Sequence, residues 1–303
     1  MKETILEIYN PQNKLFLLTK DARRVTHIAL SSLILPVLFY LIAGVLTQYI
    51  FAPLYFGDPH LASSTAREAF GLYAFFGTVI VLVFLWVQFY EGRSFYKIGF
   101  TKKGAAVKYL YGFITGMIMV VVIVGTMAVF KSIEINVENI NPTGINAIGG
   151  VIVFLFGFIV QGASEEIVSR GWMFQVIGAR YKPWLGVVIT SVLFALLHMG
   201  NSGINPIGVT NLLLISVLFT LFVMKDGSLW GACALHSAWN WTLGNVLGLS
   251  VSGAGETITI FDLNTTGSGW ISGGGFVPEG SVITTVVLLI AIFLIVILIK
   301  VNK

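Results

Sequence analysis

The chain has 303 residues, 56% of them hydrophobic and 11% charged, against roughly 25% charged in an ordinary soluble domain. That balance excludes a soluble enzyme and describes a polytopic membrane protein, whose length is used up by spans of about 20 residues each. The net charge of +4 does not point to nucleic acid, because the basic residues are scattered in short loops between apolar runs. The single cysteine, Cys233, excludes an internal disulfide and a Cys-rich metal site.

Residues 1–24 mix small apolar groups with charges and read as an interfacial lead-in ending in Lys20, Arg23 and Arg24. The run from about Val25 to Phe51 is longer than a signal-peptide core of about 7 to 15 residues, so it is expected to remain as the first span. Pro36 within it is tolerable where neighbours satisfy the freed carbonyl. Further spans are expected at about 69–90, 107–130, 147–180, 183–199, 206–224, 228–248 and 281–300. The fold class is therefore an all-α transmembrane bundle of about eight spans with a polar intramembrane cavity. It divides into the lead-in (1–24), spans one to three (25–144), a core of spans four to seven (145–248), an acidic Gly-rich loop (249–280) and a last span with its tail (281–303).

Lys2, Lys14, Lys20, Arg23 and Arg24 in the lead-in fall on the same side as Arg93, Lys97, Lys102, Lys103 and Lys108, with Arg67 and Lys131 opposite. The positive-inside rule then puts both termini in the cytoplasm of a cell-membrane protein and the loop Ser250–Gly280 outside. That loop holds Glu256, Asp262 and Glu279 without Lys or Arg, and reads as a solvated connector, with a flexible lid or substrate-entry loop as the alternative; Thr257–Phe261 within it alternates like a short strand.

Three ionisable groups, Glu165, Glu166 and Arg170, follow directly on the apolar run Ile152–Val160. A charge near the bilayer centre costs at least about 2.5 to 3.5 kcal/mol, so such residues mark a functional site by default. Two later apolar segments carry the other plausible reagents, Phe194 with His198 and His236 with Asn240. At about 1.5 Å per residue, one long fourth helix puts Glu165 about 22 Å from Arg180. On the same measure His198 lies about 24 Å from Lys182, and His236 and Asn240 lie about 16 and 22 Å from Lys225. With those basic anchors at one interface the four groups share a depth; a helix ending at Ser164 would keep Glu165 and His198 apart. Glu166 and Arg170 lie one turn apart on one face, while Glu165 is rotated about 100° away and left to face the histidines.

Glu165-Glu166-x-x-x-Arg170, Phe194-x-x-x-His198 and His236-x-x-x-Asn240, in that order on successive apolar segments, resemble the CPBP family of intramembrane proteases. That family includes the type II CAAX prenyl endopeptidases and the bacteriocin-immunity (Abi) relatives. The resemblance covers about residues 145–248. It implies that Glu165 is the general base, that His198 helps bind and activate water, and that His236 and Asn240 stabilise the oxyanion, with Glu166, Arg170 and Phe194 in support. The chemistry agrees: amide hydrolysis in a membrane needs a water, a base beside it and preorganised donors in a low-dielectric site. The partners implied are the lipid bilayer and a membrane-associated protein or peptide substrate, with no nucleic acid.

Two other readings use the same residues. Glu165, His198 and His236 amount to the two-His, one-carboxylate set of zinc hydrolases, although no His-Glu-x-x-His is present and ligation would leave only Glu166 as base; no cofactor is favoured. A non-catalytic immunity protein, scaffold or transporter would use the polar cavity for binding alone.

Overall fold

The computed structural model describes residues 10–20, 22–58, 63–136, 143–254 and 258–301. The first nine residues of the lead-in, together with Glu256, Thr257 and Lys303, lie outside the described residues. In chain order the helices are α1 (Lys14–Lys20), α2 (Leu30–Phe56), α3 (Ser64–Tyr90), α4 (Ala105–Val129), α5 (Gly144–Arg180), α6 (Pro183–Leu197), α7 (Pro206–Asp226), α8 (Trp230–Trp241), the short α9 (Gly269–Ser272) and α10 (Val282–Val301).

Six of these, α2, α3, α4, α5, α7 and α10, are long and apolar enough to cross a membrane. The expected fifth span is the shorter apolar helix α6, and the expected seventh is α8, continued by a π-helical turn, Thr242–Val246. At about 1.5 Å per residue, α6 reaches only about 22 Å of a hydrocarbon core about 30 Å thick. The multi-pass, all-helical architecture therefore stands with six full-length spans. Helix α5 runs unbroken for 37 residues through the acidic pair. A π-helical stretch, Ile167–Met173, interrupts its regular winding at Gly171. Another π turn, Leu30–Ile34, lies just before Pro36, where the chain lacks an N–H donor.

Helix α8 is seated by close backbone contact. A side chain at Gly112 or Gly116 of α4 would collide with the main chain of Gly231 or Leu235. One at Gly162 of α5 would stand 2.6 Å from Ser237 Oγ. These positions use the small-residue packing that lets membrane helices approach closely, and they bring α5 and α8 to the spacing at which Glu165 and His236 can meet.

At the Arg180 end of the bundle, α1 docks instead of lying free on a surface. Leu15, Phe16 and Thr19 are buried, and the Phe16 ring sits edge-on to Phe174 at 5.2 Å. Beside them Glu91 accepts from Thr26 Oγ1 (2.6 Å), Trp172 Nε1 (2.9 Å) and Arg93 Nε (2.6 Å), while Arg93 Nη1 donates to Thr19 Oγ1 (3.0 Å).

The segment after α8 corrects the solvated-connector reading. Val251, Ser272, Phe276, Val277 and Glu279 are buried, because the chain folds back onto the bundle. Ile260 and Phe261 donate backbone N–H groups to the carbonyls of Asn245 and Val246. A small antiparallel ladder pairs β1 (Ile133–Ile135) with β2 (Leu263–Thr265), in the register Ile133↔Thr265. The strand thus falls just beyond the expected Thr257–Phe261, of which Thr259 makes one isolated bridge to Thr143.

Candidate active site

Arg170 is fully buried, and its partners explain how. Its Nη1 donates to Glu166 Oε1 at 2.8 Å, and its Nη2 donates to the carbonyl and hydroxyl of Ser216 at 3.0 and 2.6 Å. The guanidinium lies 5.1 Å from each of the Phe194 and Phe219 rings, a cation–π arrangement worth about 2 kcal/mol when desolvated. Phe194 therefore supports the site by packing: it caps Arg170 and lies 4.6 Å, ring to ring, from His198.

His236 faces both carboxylates. Its Nδ1 is 3.0 Å from Glu166 Oε1, the same oxygen that Arg170 holds, and its Nε2 is 3.8 Å from Glu165 Oε2. An ionised carboxylate only accepts, so the Glu166 contact fixes a proton on Nδ1 and turns Nε2 toward Glu165. The adjacent glutamates are thus separated in environment as the helical period requires, with one addition: Glu166 also reaches His236. The ring is held flat against Phe219, at 4.9 Å and 15°.

His198 caps the C-terminus of α6, with Nδ1 2.7 Å from the Phe194 carbonyl. That carbonyl can only accept, so Nε2 is the nitrogen left for other partners. Asn240, one turn beyond His236, donates through Nδ2 to Gln161 Oε1 at 3.2 Å.

Glu165, His198, His236 and Asn240 all line one cavity of ≈ 450 Å³, within the range of about 300–1,000 Å³ usual for ligand pockets. Glu166 and Arg170 stand behind its wall. Among the described residues no group of three or more His, Cys, Asp or Glu side chains is gathered so as to hold a metal ion; Glu165, His198 and His236 share the cavity without forming such a cluster.

The same cavity is lined by residues that the motifs do not name, among them Tyr40, Gln161, Ser169 and Glu279. Gln161 and Ser169 lie four residues either side of Glu165, so helical spacing alone could have found them. Tyr40 and Glu279 come from far along the chain, and no local pattern marks them. Burial pushes the Glu279 carboxyl above its ordinary value of 4.5, against the opposing pull of His198 and of hydrogen bonds from Ser252 and Trp239.

Residues 147–242 match the family model described as type II CAAX prenyl endopeptidase Rce1-like. The segment is thus similar to the type II CAAX prenyl endopeptidase (CPBP) family, a family of proteases. It contains α6, α7 and α8 and most of α5, and with them all four cavity residues singled out from the sequence. No curated protein and no solved structure matches the chain.

Proposed function

We propose that the protein is an intramembrane endopeptidase that hydrolyses a peptide bond with a water activated by Glu165. The observation that carries this reading is the convergence of Glu165, His198, His236 and Asn240, from three separate helices, on one cavity. In this account α6 and α8 lie within the bilayer beside the six long spans, making eight apolar segments, and the cavity opens inside the membrane. Both termini are cytoplasmic and the 249–280 loop is outside; a cysteine placed at Gly267 should label from the outside only.

The chemistry follows from the free valences. Glu165 accepts no hydrogen bond among the described residues, so its carboxylate can take a proton from water. His198 offers Nε2 to position that water. As the proton passes to Glu165, the water oxygen bonds to the substrate carbonyl carbon and the carbonyl oxygen becomes an oxyanion. Asn240 keeps one amide N–H beyond the one given to Gln161 and aims it at the oxyanion. His236 adds a second donor when both ring nitrogens carry protons, since its Nδ1 proton is committed to Glu166. Collapse then breaks the C–N bond, and Glu165 returns the proton to the leaving amine.

The substrate is a membrane-associated protein or peptide; CAAX-type proteins, leader peptides and bacteriocin-related peptides are the classes to compare. Mass spectrometry of peptide termini in cells carrying wild type, Glu165→Gln or His198→Ala at matched membrane abundance tests the reading. Termini that appear only with wild type support it. If both variants retain full biological activity, the protein works by binding.

A further inference from the structure

Among the described residues, each buried carboxylate near the site except one has a basic partner. Glu91 pairs with Arg93 at 2.6 Å, Glu166 with Arg170 at 2.8 Å, and Glu165 faces His236 Nε2 at 3.8 Å. Even Asp226, toward the end of α7, has Lys225 at 3.2 Å. Glu279 is 7% exposed, and among the described residues no basic side chain comes within ion-pair distance of it.

Its partners are all neutral donors. Oε2 accepts from the Ser252 N–H at 2.7 Å, and Oε1 accepts from Trp239 Nε1 at 3.3 Å and Ser252 Oγ at 3.4 Å. The backbone around it is pinned as well, since Asn211 Nδ2 donates to the carbonyls of Glu279 and Ser281 at 2.7 and 2.9 Å. Ser252 itself holds a left-handed backbone (φ 48°), a conformation that a non-glycine residue keeps only when its surroundings enforce it. These contacts fix the carboxylate at the wall of the catalytic cavity, which Glu279, Ser252 and Trp239 line together with Glu165 and His198.

A buried carboxylate without a counter-ion is expensive, and buried charges are normally paired. Here the unpaired one opens onto a cavity. We propose that Glu279 is the anchor of a subsite for a cationic group of the bound substrate, a lysine or arginine side chain or a free amino group close to the scissile bond. Burial raises the Glu279 carboxyl above its ordinary value, a cost to the charged form that a bound cation would offset. His198, which lines the same cavity, is the titratable neighbour that opposes this rise, so a bound cation would act on the carboxylate in the same sense as His198. The 249–280 segment thereby becomes a specificity element, carried by a part of the chain outside the family-matched residues 147–242.

The inference rests on the cavity being the substrate site, and binding tests it without turnover. The probes are fluorescent apolar peptides, acetylated at the amino terminus, with a single lysine placed at each position in turn, and matched peptides with norleucine in its place. A third set carries norleucine and a free amino terminus. Anisotropy with the protein in lipid nanodiscs should show at least one lysine position binding about tenfold tighter than its norleucine match. Glu279→Gln, which keeps the side-chain shape and the Ser252 acceptor, should abolish that preference, and Glu279→Asp should retain it. A preference that appears only with the free terminus supports the subsite and identifies the cation as the amine. Equal affinity for all peptides, no binding of any, or a preference that survives Glu279→Gln overturns the proposal. Peptides that bind with the predicted preference yet are never cut by wild type leave the subsite standing and remove the hydrolase reading instead.

Discussion

Two buried clusters in this protein contain the same kinds of groups and are built in opposite ways. Around Glu91, both carboxylate oxygens are engaged by Thr26, Trp172 and Arg93 at 2.6 to 2.9 Å. Around Glu165, the nearest basic atom, His236 Nε2, stands off at 3.8 Å and the carboxylate borders a cavity. In the first cluster both oxygens of the carboxylate are spent on holding α1, α5 and the chain after α3 together, and among the described residues only Arg93 Nη2 is left without a partner. The second keeps capacity unused beside a space that a reactant can enter. Burial of charge alone does not mark an active site; what marks it is buried charge with an open valence facing a cavity, held there by a rigid surround.

The rigid surround should break first. Arg170→Ala strands Glu166 and empties the space between Phe194 and Phe219, and removing one partner of a buried pair is worth about 3 to 5 kcal/mol. The variant should fall sharply in membrane abundance, with Arg170→Lys falling less; equal abundance of wild type and Arg170→Ala would argue against the buried pair. Asn240→Ala sits in the open cluster and should do the reverse. Turnover should drop by about 10² to 10³, the scale of one lost oxyanion donor, with abundance and thermal stability near wild type. A turnover loss of less than about tenfold would remove Asn240 from the oxyanion site.

Glu91→Gln sharpens the contrast from the closed side. It takes a charge from Arg93 in a network that engages both Glu91 oxygens and should lower stability by about 1 to 3 kcal/mol, while the rate per folded molecule stays unchanged. A changed rate with unchanged stability would mean that the two clusters are not separate. The smallest effect belongs to Glu279, whose carboxyl pKa is raised in the folded protein above 4.5. The folded state then binds the extra proton, so this group's contribution to stability falls as pH rises from about 4.5 through its folded value. Relative to Glu279→Gln, wild type should therefore lose stability between acidic and neutral pH, read as the difference in thermal midpoints. A pH-independent difference would place that carboxyl at an ordinary pKa.

Much of the open cluster was legible in sequence for a physical reason: charges inside apolar runs are rare enough to stand out, whereas Glu91 sits in a short polar loop and Arg93 reads there only as a topology charge. The helical period then assigned Arg170 to Glu166 and left Glu165 for the histidines, and the depth estimate required the unbroken α5. Three things were out of reach. The shortness of α6 and the break of α8 into a π turn depend on where neighbours end the helices, which hydropathy does not register. Glu279 sits in a Gly-rich stretch that looks solvated, because its burial comes from contacts with Asn211, Trp239 and Ser252, distant in sequence. The Nδ1 contact of His236 with Glu166, which decides what its other nitrogen can do, is set by the approach of α5 and α8 at Gly162.

The central claim is that Glu165, without a metal, activates the water. The most direct measurement is peptide cleavage by the purified protein with its metal content determined, before and after chelation, alongside Glu165→Gln. Turnover should be unaffected by chelation, and in Glu165→Gln it should be abolished with peptide binding nearly intact, because the amide keeps the shape of the side chain but cannot take the proton. Stoichiometric zinc, with activity lost on chelation and restored when zinc is returned, would contradict it and reassign Glu165, His198 and His236 as ligands.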